Sequence, residues 1–197
     1  MTIISEKDKI LEICLPEIVF DGWNLSDILK ILEQKGFSKQ QFNSLFPKGL
    51  TDLACHFSNW ADRQMLSQLE TENLEDMRIR DRITLAVKIR LKILAPFKPA
   101  VASSFKFFAL PHRAFRLPKL VWQTADKIWW AAGDNSTDYN HYTKRTLLAG
   151  VISSTTLFWA NDHSDQHTKT WSFLDDRIEN VLKIGQTIGK FTKKAKS

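Results

Sequence analysis

The 197-residue chain reads as an all-α protein, on three observations. Apolar residues recur at three- and four-residue spacing through most of its length, no stretch alternates at period two, and only 7 Gly and 6 Pro are present. Helical spacing without alternation marks amphipathic helices, and a many-turned β protein needs more turn formers. About nine helices are expected.

Ser5 with Asp8 resembles a capping box. It opens a helix carrying Ile10, Leu11, Cys14, Leu15 and Ile18, with a bend expected at Pro16 and an end at Gly22. Asn24 caps a second helix (Leu25, Ile28, Leu29, Leu32) that Gly36 stops. Ser38 and Gln41 form a capping box for a short third helix bearing Phe42 and Leu45, ended by Pro47 and Gly49. Three short helices around a tight glycine turn make a helix-turn-helix pattern. Longer helices follow over about 51–70 and 75–94. The second carries a run of Arg and Lys that reads as a solvated face. Pro99 starts a helix holding Phe105, Phe107 and Phe108. A helix over 119–132 holds Trp122, Trp129 and Trp130. Ser136 or Thr137 caps the next, which is apolar on most sides through Trp159, as befits a helix with several neighbours. A last helix starts near Thr168.

Hydrophobic content of 43% and charged content of 25% are ordinary for a globular chain. No apolar run reaches the roughly 18 residues of a membrane span, and no targeting segment is legible at the N-terminus. Cys14 and Cys55 sit on apolar helical faces and read as separate thiols. The net charge is +6, but Lys183, Lys190, Lys193, Lys194 and Lys196 lie in the last 15 residues without an acid, leaving +1 for the rest. On a helical wheel Val181, Ile184, Ile188 and Phe191 share one arc, with Lys183, Lys190, Lys193 and Lys194 opposite. A basic amphipathic helix is the composition that lies in a membrane interface; packing on the protein or in a partner groove is the alternative.

Catalytic and metal-binding motifs are missing. His163 and His167 are four apart but in a polar loop without further ligands, so no metal or cofactor is expected. The most distinctive stretch is the corner Thr124–Arg145, TADKIWWAAGDNSTDYNHYTKR. Asp134 and Asp138 there permit an acid/base pair, but read more simply as helix caps and charge partners. No catalytic residue is assigned.

This string, with FDGW at Phe20–Trp23, LFPKG from Leu45, IRDRI at Ile79–Ile83, FALP at Phe108–Pro111 and WSFLDDRIENV at Trp171–Val181, resembles the COQ-nine family of ubiquinone-biosynthesis accessory proteins. The resemblance covers nearly the whole chain in order. It implies a TetR-like fold: residues 1–50 as a helix-turn-helix region, 51–180 as a lipid-binding and dimerisation region, and 181–197 as the basic tail. It also implies a homodimer without catalysis of its own. Its cavity would bind isoprenoid quinone intermediates or phospholipid, and its partner would be the di-iron demethoxyubiquinone hydroxylase. The AGD…YTKR corner would meet that partner, through Asp134, Asp138, Tyr139, His141, Tyr142 and Arg145. Where family members usually carry Trp, this chain has His141.

Lipid binding has support in the residues themselves. Phe105, Phe108, Trp122, Trp129, Ile152, Thr155 and Phe158 lie on helices apolar on too many faces for plain packing, and are the candidate pocket walls. Membrane contact is assigned to Lys183, Ile184, Ile188, Lys190, Phe191, Lys193 and Lys194. The resulting expectation is an accessory protein, peripheral on the cytoplasmic face of a bacterial inner membrane, or on the matrix side in a mature mitochondrial form. The alternative is a TetR-type DNA-binding regulator. It is disfavoured because the recognition segment Ser38–Phe46 carries one Lys and no Arg, and phosphate neutralisation dominates DNA affinity. An enzyme, resting on Asp134 and Asp138, is the third reading.

Overall fold

The computed structural model describes residues 5–134 and 139–194, without the side chains of 139, 140, 182 and 184–194. Every regular element among them is helical: α1 Glu6–Asp21, α2 Leu25–Gln34, α3 Lys39–Leu45, α4 Leu50–Leu69, α5 Ile79–Leu94, α6 Lys98–Phe108, α7 Pro111–Ala114, α8 Arg116–Ala131, α9 Tyr139–Ala160 and α10 Thr168–Lys194. Short 3-10 turns precede α6 and α10. No single helix among the described residues is long and apolar enough to cross a membrane. The chain forms two compact units, Met1–Met65 with Lys92–Leu120, and Leu66–Leu91 with Val121–Ser197.

In the first unit the N-terminal caps read from the sequence are in place. Ser5 Oγ accepts from the Asp8 amide, and Asn24 Oδ1 from that of Ser26. Ser38 and Gln41 complete a reciprocal capping box on α3. The expected bend at Pro16 does not break α1, which is a single helix across it. α1 packs on α2 and α6, burying Ile10, Leu11, Cys14, Leu15 and Ile18. Gly22 turns the chain at φ +76, and the Trp23 indole N–H is directed at the Ala100 carbonyl and Ser104 Oγ of α6. Cys14 and Cys55 are free thiols. Burial, with Glu17 nearby, pushes the Cys14 thiol up to about 12, so it stays protonated and inert.

Asp8 ties α1 to α4, accepting from His56 Nε2 at 2.7 Å and from the Arg63 guanidinium. Burial opposes ionisation of Asp8, but the His56 hydrogen bond and Arg63 outweigh it and hold the carboxyl below its ordinary 3.8. Burial likewise holds His56 below its ordinary 6.5, against the pull of Asp8. Both groups bind fewer protons folded than unfolded, so their contributions are present above their ordinary values and lost as pH falls through the folded ones. Stability should therefore decline on acidification from near 6.5 downward. Arg63 is 46% exposed and screened, so Asp8→Asn should cost about 1 kcal/mol and flatten the most acidic limb of the profile. Urea unfolding at stepped pH reads both effects; a variant with the parent profile would remove this role.

In the second unit α9 packs along α10. Trp159, Leu174, Ile152, Val151 and Ile178 form its core with Ile83 and Ile128. The turn between α9 and α10 hangs on Asp162, which is buried. Its carboxylate accepts from the Ser164 amide at 2.8 Å, the Thr170 amide at 3.0 Å and Thr170 Oγ1 at 2.6 Å. Burial opposes the charge, yet these donors hold the carboxyl well below the usual range. Asp162→Ala should lower the unfolding free energy by about 1–2 kcal/mol. Asp162→Asn, which keeps one acceptor oxygen, should lose less. An unchanged melting temperature in the alanine variant would contradict the assignment.

Candidate docking site

The corner between α8 and α9 lies wholly in the second unit. α8 ends because Gly133 adopts φ +93, a left-handed conformation that costs a side-chain-bearing residue energy. The Gly133 amide donates to the Trp130 carbonyl and the Asp134 amide to that of Trp129. Arg82 secures this end: Nη1 donates to the Ala132 carbonyl at 3.2 Å, while Nε reaches the Met77 carbonyl at 2.9 Å.

Beneath the corner lies Arg145, 3% exposed. Its Nε donates to Asp126 Oδ1, and its Nη1 to Asp134 Oδ2 at 3.1 Å and the His141 carbonyl at 3.3 Å. Asp134 Oδ1 accepts from Lys144 Nζ at 2.7 Å. The Lys144 ammonium lies 5.4 Å from the centre of the Trp129 ring, whose N–H donates to the Lys144 carbonyl at 3.0 Å. Both oxygens of Asp134 are thus taken up by cations. This arrangement fixes α8 against the start of α9 and leaves Asp134 unsuited to act as a base. Arg145, expected from the sequence to face a partner, supports the surface from below. Burying a guanidinium is costly unless carboxylates pair with it, which Asp126 and Asp134 do here.

Above this hub the surface is aromatic. Tyr142 is 63% exposed, stacked at 6.2 Å on Trp122 and edge-on to His141 at 5.1 Å. Trp130 leaves the last turn of α8 with 72% of its surface in solvent. Isolated exposed apolar residues are ordinary, but two large aromatics at one helix corner are the anchors that interfaces favour. Trp130 was not among the expected contacts. Its signal was the Trp129–Trp130 pair, since neighbours on a helix cannot both face inward. Asp138 lies outside the described residues, as do the side chains of Tyr139, Ile184, Ile188, Lys190, Phe191, Lys193 and Lys194. Lys183 is exposed and pairs with Glu179 at 2.9 Å.

The seven candidate lipid contacts are divided between the units. Phe105 and Phe108 belong to the first, half-buried and buried; the other five belong to the second. Ile152 and Thr155 are buried, and Thr155 Oγ1 has no hydrogen-bond partner. Trp122 and Trp129 support the corner as described. Phe158 is on the surface, stacked on Phe173 at 4.5 Å, and is the one member of the seven that lines an open groove of about 800 Å³ beside the α9–α10 turn. His163 is exposed at that groove. The His167 ring packs 5.9 Å from Trp159 and 6.5 Å from Trp171, an aromatic setting rather than a ligand set.

Comparisons with known proteins agree with the resemblance read from the sequence. The COQ9 family model matches residues 116–185, which include the corner. The probable ubiquinone biosynthesis protein coq9, mitochondrial, of Dictyostelium discoideum is 28% identical over 96% of this chain and 67% of its own length. The mitochondrial ubiquinone biosynthesis proteins COQ9 of Bos taurus and Homo sapiens are 30% and 28% identical, each over 91% of this chain and 58% of their own length. The chain thus spans somewhat over half the length of these two relatives. In structure it is similar to a TetR transcriptional regulator from Nitrosomonas europaea, with a TM-score of 0.70 and 20% identity over 89% of this chain and 97% of that one. The fold is therefore all-helical and TetR-like, as the resemblance implied.

Proposed function

We propose that this chain serves ubiquinone biosynthesis as a non-catalytic accessory protein, binding isoprenoid quinone intermediates and presenting them to the demethoxyubiquinone hydroxylase at a membrane. The observation that carries the reading is the α8–α9 corner. It falls within the segment matched by the COQ9 family and combines a buried Arg145 hub with exposed Trp130 and Tyr142. A polyisoprenoid resists crossing water, at about 0.8 kcal/mol per CH₂, so an enzyme acting on it gains from a protein that shields the tail. The named relatives are mitochondrial proteins, and we extend their pathway to this chain, at a mitochondrial or bacterial inner membrane. A homodimer and a membrane-seated C-terminal helix belong to the same reading.

Native mass spectrometry of gently purified protein tests the lipid half. An isoprenoid or phospholipid should remain bound; a protein that carries none and takes up none when offered it removes the carrier role.

A DNA-binding role has one observation in its favour, the likeness to a transcriptional regulator. The short helix α3 bears only Lys39 as a cation, and backbone charge supplies most duplex affinity. Duplex binding should accordingly be weak; tight, salt-sensitive binding would favour the regulator.

A further inference from the structure

The segment joining α6 to α8 sits in an unusual charge environment. Between Asp81 and Asp126 lie 44 residues with nine Arg or Lys and no Asp or Glu. Within it the chain turns sharply through Ala109–Phe115, where Pro111 starts the short helix α7. Two large apolar side chains stand out from this elbow, Leu110 at 46% and Phe115 at 65% exposure. Lys106, His112 and Lys119, within a few residues of them in sequence, are exposed, with Arg113 and Arg116 half-buried. The Arg113 guanidinium lies 4.0 Å from the Phe107 ring centre and that of Arg116 5.2 Å from Phe115. None of Lys106, Arg113, Arg116 or Lys119 has an ion-pair partner among the described residues. The whole elbow lies within the first unit.

Exposed apolar tips on a segment rich in cations without ion-pair partners, with no acid near in sequence, fit one kind of partner. We infer that the α6–α8 elbow is a docking surface for an anionic lipid bilayer, additional to the C-terminal helix. Leu110 and Phe115 enter the interface while Lys106, Arg113, Arg116 and Lys119 meet the headgroup phosphates. Binding to a nucleic-acid backbone would use the cations but give Leu110 and Phe115 nothing to enter. The inference takes its motive from the proposed lipid role, but its test involves neither quinone nor hydroxylase, so the two stand or fall separately.

The test is co-flotation of the full-length chain with vesicles of equal parts phosphatidylcholine and phosphatidylglycerol, against phosphatidylcholine alone. The C-terminal contribution is first removed by the combined substitutions Lys190→Ser, Phe191→Ser, Lys193→Ser and Lys194→Ser. This variant should still float with the anionic vesicles, not with the neutral ones, and should release at high salt. Adding Leu110→Ser and Phe115→Ser should abolish flotation. Adding Lys106→Ser and Lys119→Ser instead should weaken partitioning by about 25-fold, at about fivefold per cation. These are exposed positions, and the melting temperature checks that each variant is folded; the lysine pair serves if the apolar pair is not. Loss of all flotation in the tail variant, or indifference of its flotation to the elbow substitutions, overturns the inference. So does equal affinity for duplex DNA that ignores Leu110 and Phe115.

Discussion

Arg145→Ala lowers the unfolding free energy by about 3 kcal/mol, the low end for breaking a buried ion pair. Arg145 is 3% exposed and Asp134 has 8% of its side chain exposed, so the pair is dry. Asp134 keeps Lys144, and Asp126 is half exposed and re-solvates, which places the loss at the low end. For a chain of this size the loss corresponds to roughly 6–12 °C in melting temperature. Arg145→Lys keeps the charge but not the fork that spans Asp126, Asp134 and the His141 carbonyl, so it should recover only part. Calorimetry reads the loss directly. An alanine variant that melts with the parent would mean that the hub does not hold the corner.

If the proposed hydroxylase contact lies at this corner, Trp130→Ala with Tyr142→Ala should weaken it by at least about 2 kcal/mol, roughly 30-fold, since large aromatics are typical hot spots. Their exposure, 72% and 63%, means that the fold loses little. This separates them from Arg145: the aromatic pair should cost affinity with the melting temperature kept, and Arg145→Ala should cost both. His141→Trp works in the other direction. The ring already touches Tyr142 at 5.1 Å, and a larger aromatic there adds contact area, so affinity should rise. Titration by light scattering or sedimentation reads all three variants. Equal affinity throughout would place the contact elsewhere.

Much of the fold was legible because helix ends carry local chemistry. The caps at Ser5, Asn24 and Ser38 and the glycine turns at Gly22 and Gly36 depend on residues within a few positions of each other. Two of the misjudged features involve proline, while the start of α5 at Ile79 rather than near 75 does not. α8 begins at Arg116, earlier than periodicity indicated, because Pro118 lies in its first turn, where its missing N–H has no partner to lose. Pro16 likewise sits inside an unbroken α1.

The corner was legible as a distinctive string, but not its layering. Asp126 and Asp134 are 19 and 11 residues from Arg145, and nothing local marks a cation in a polar run as buried. The hub at Arg145 therefore emerged only from the packing, whereas the exposed Trp130 was signalled locally by the Trp129–Trp130 pair. The candidate lipid residues show the converse problem. Aromatic and small residues on helices apolar all round serve equally as cavity walls or as core. Ile152 and Thr155 are buried, Phe158 lies on an open groove, and Phe105 and Phe108 belong to the other unit.

The proposed presentation of lipid to the hydroxylase is tested most directly by turnover. The hydroxylase is supplied with its demethoxyquinone in anionic vesicles, alone, with this chain, and with the Trp130→Ala, Tyr142→Ala variant. Turnover should be stimulated by the parent chain and returned to the unassisted rate by the variant. Turnover indifferent to the chain, or equally stimulated by the variant, would contradict the proposed presentation.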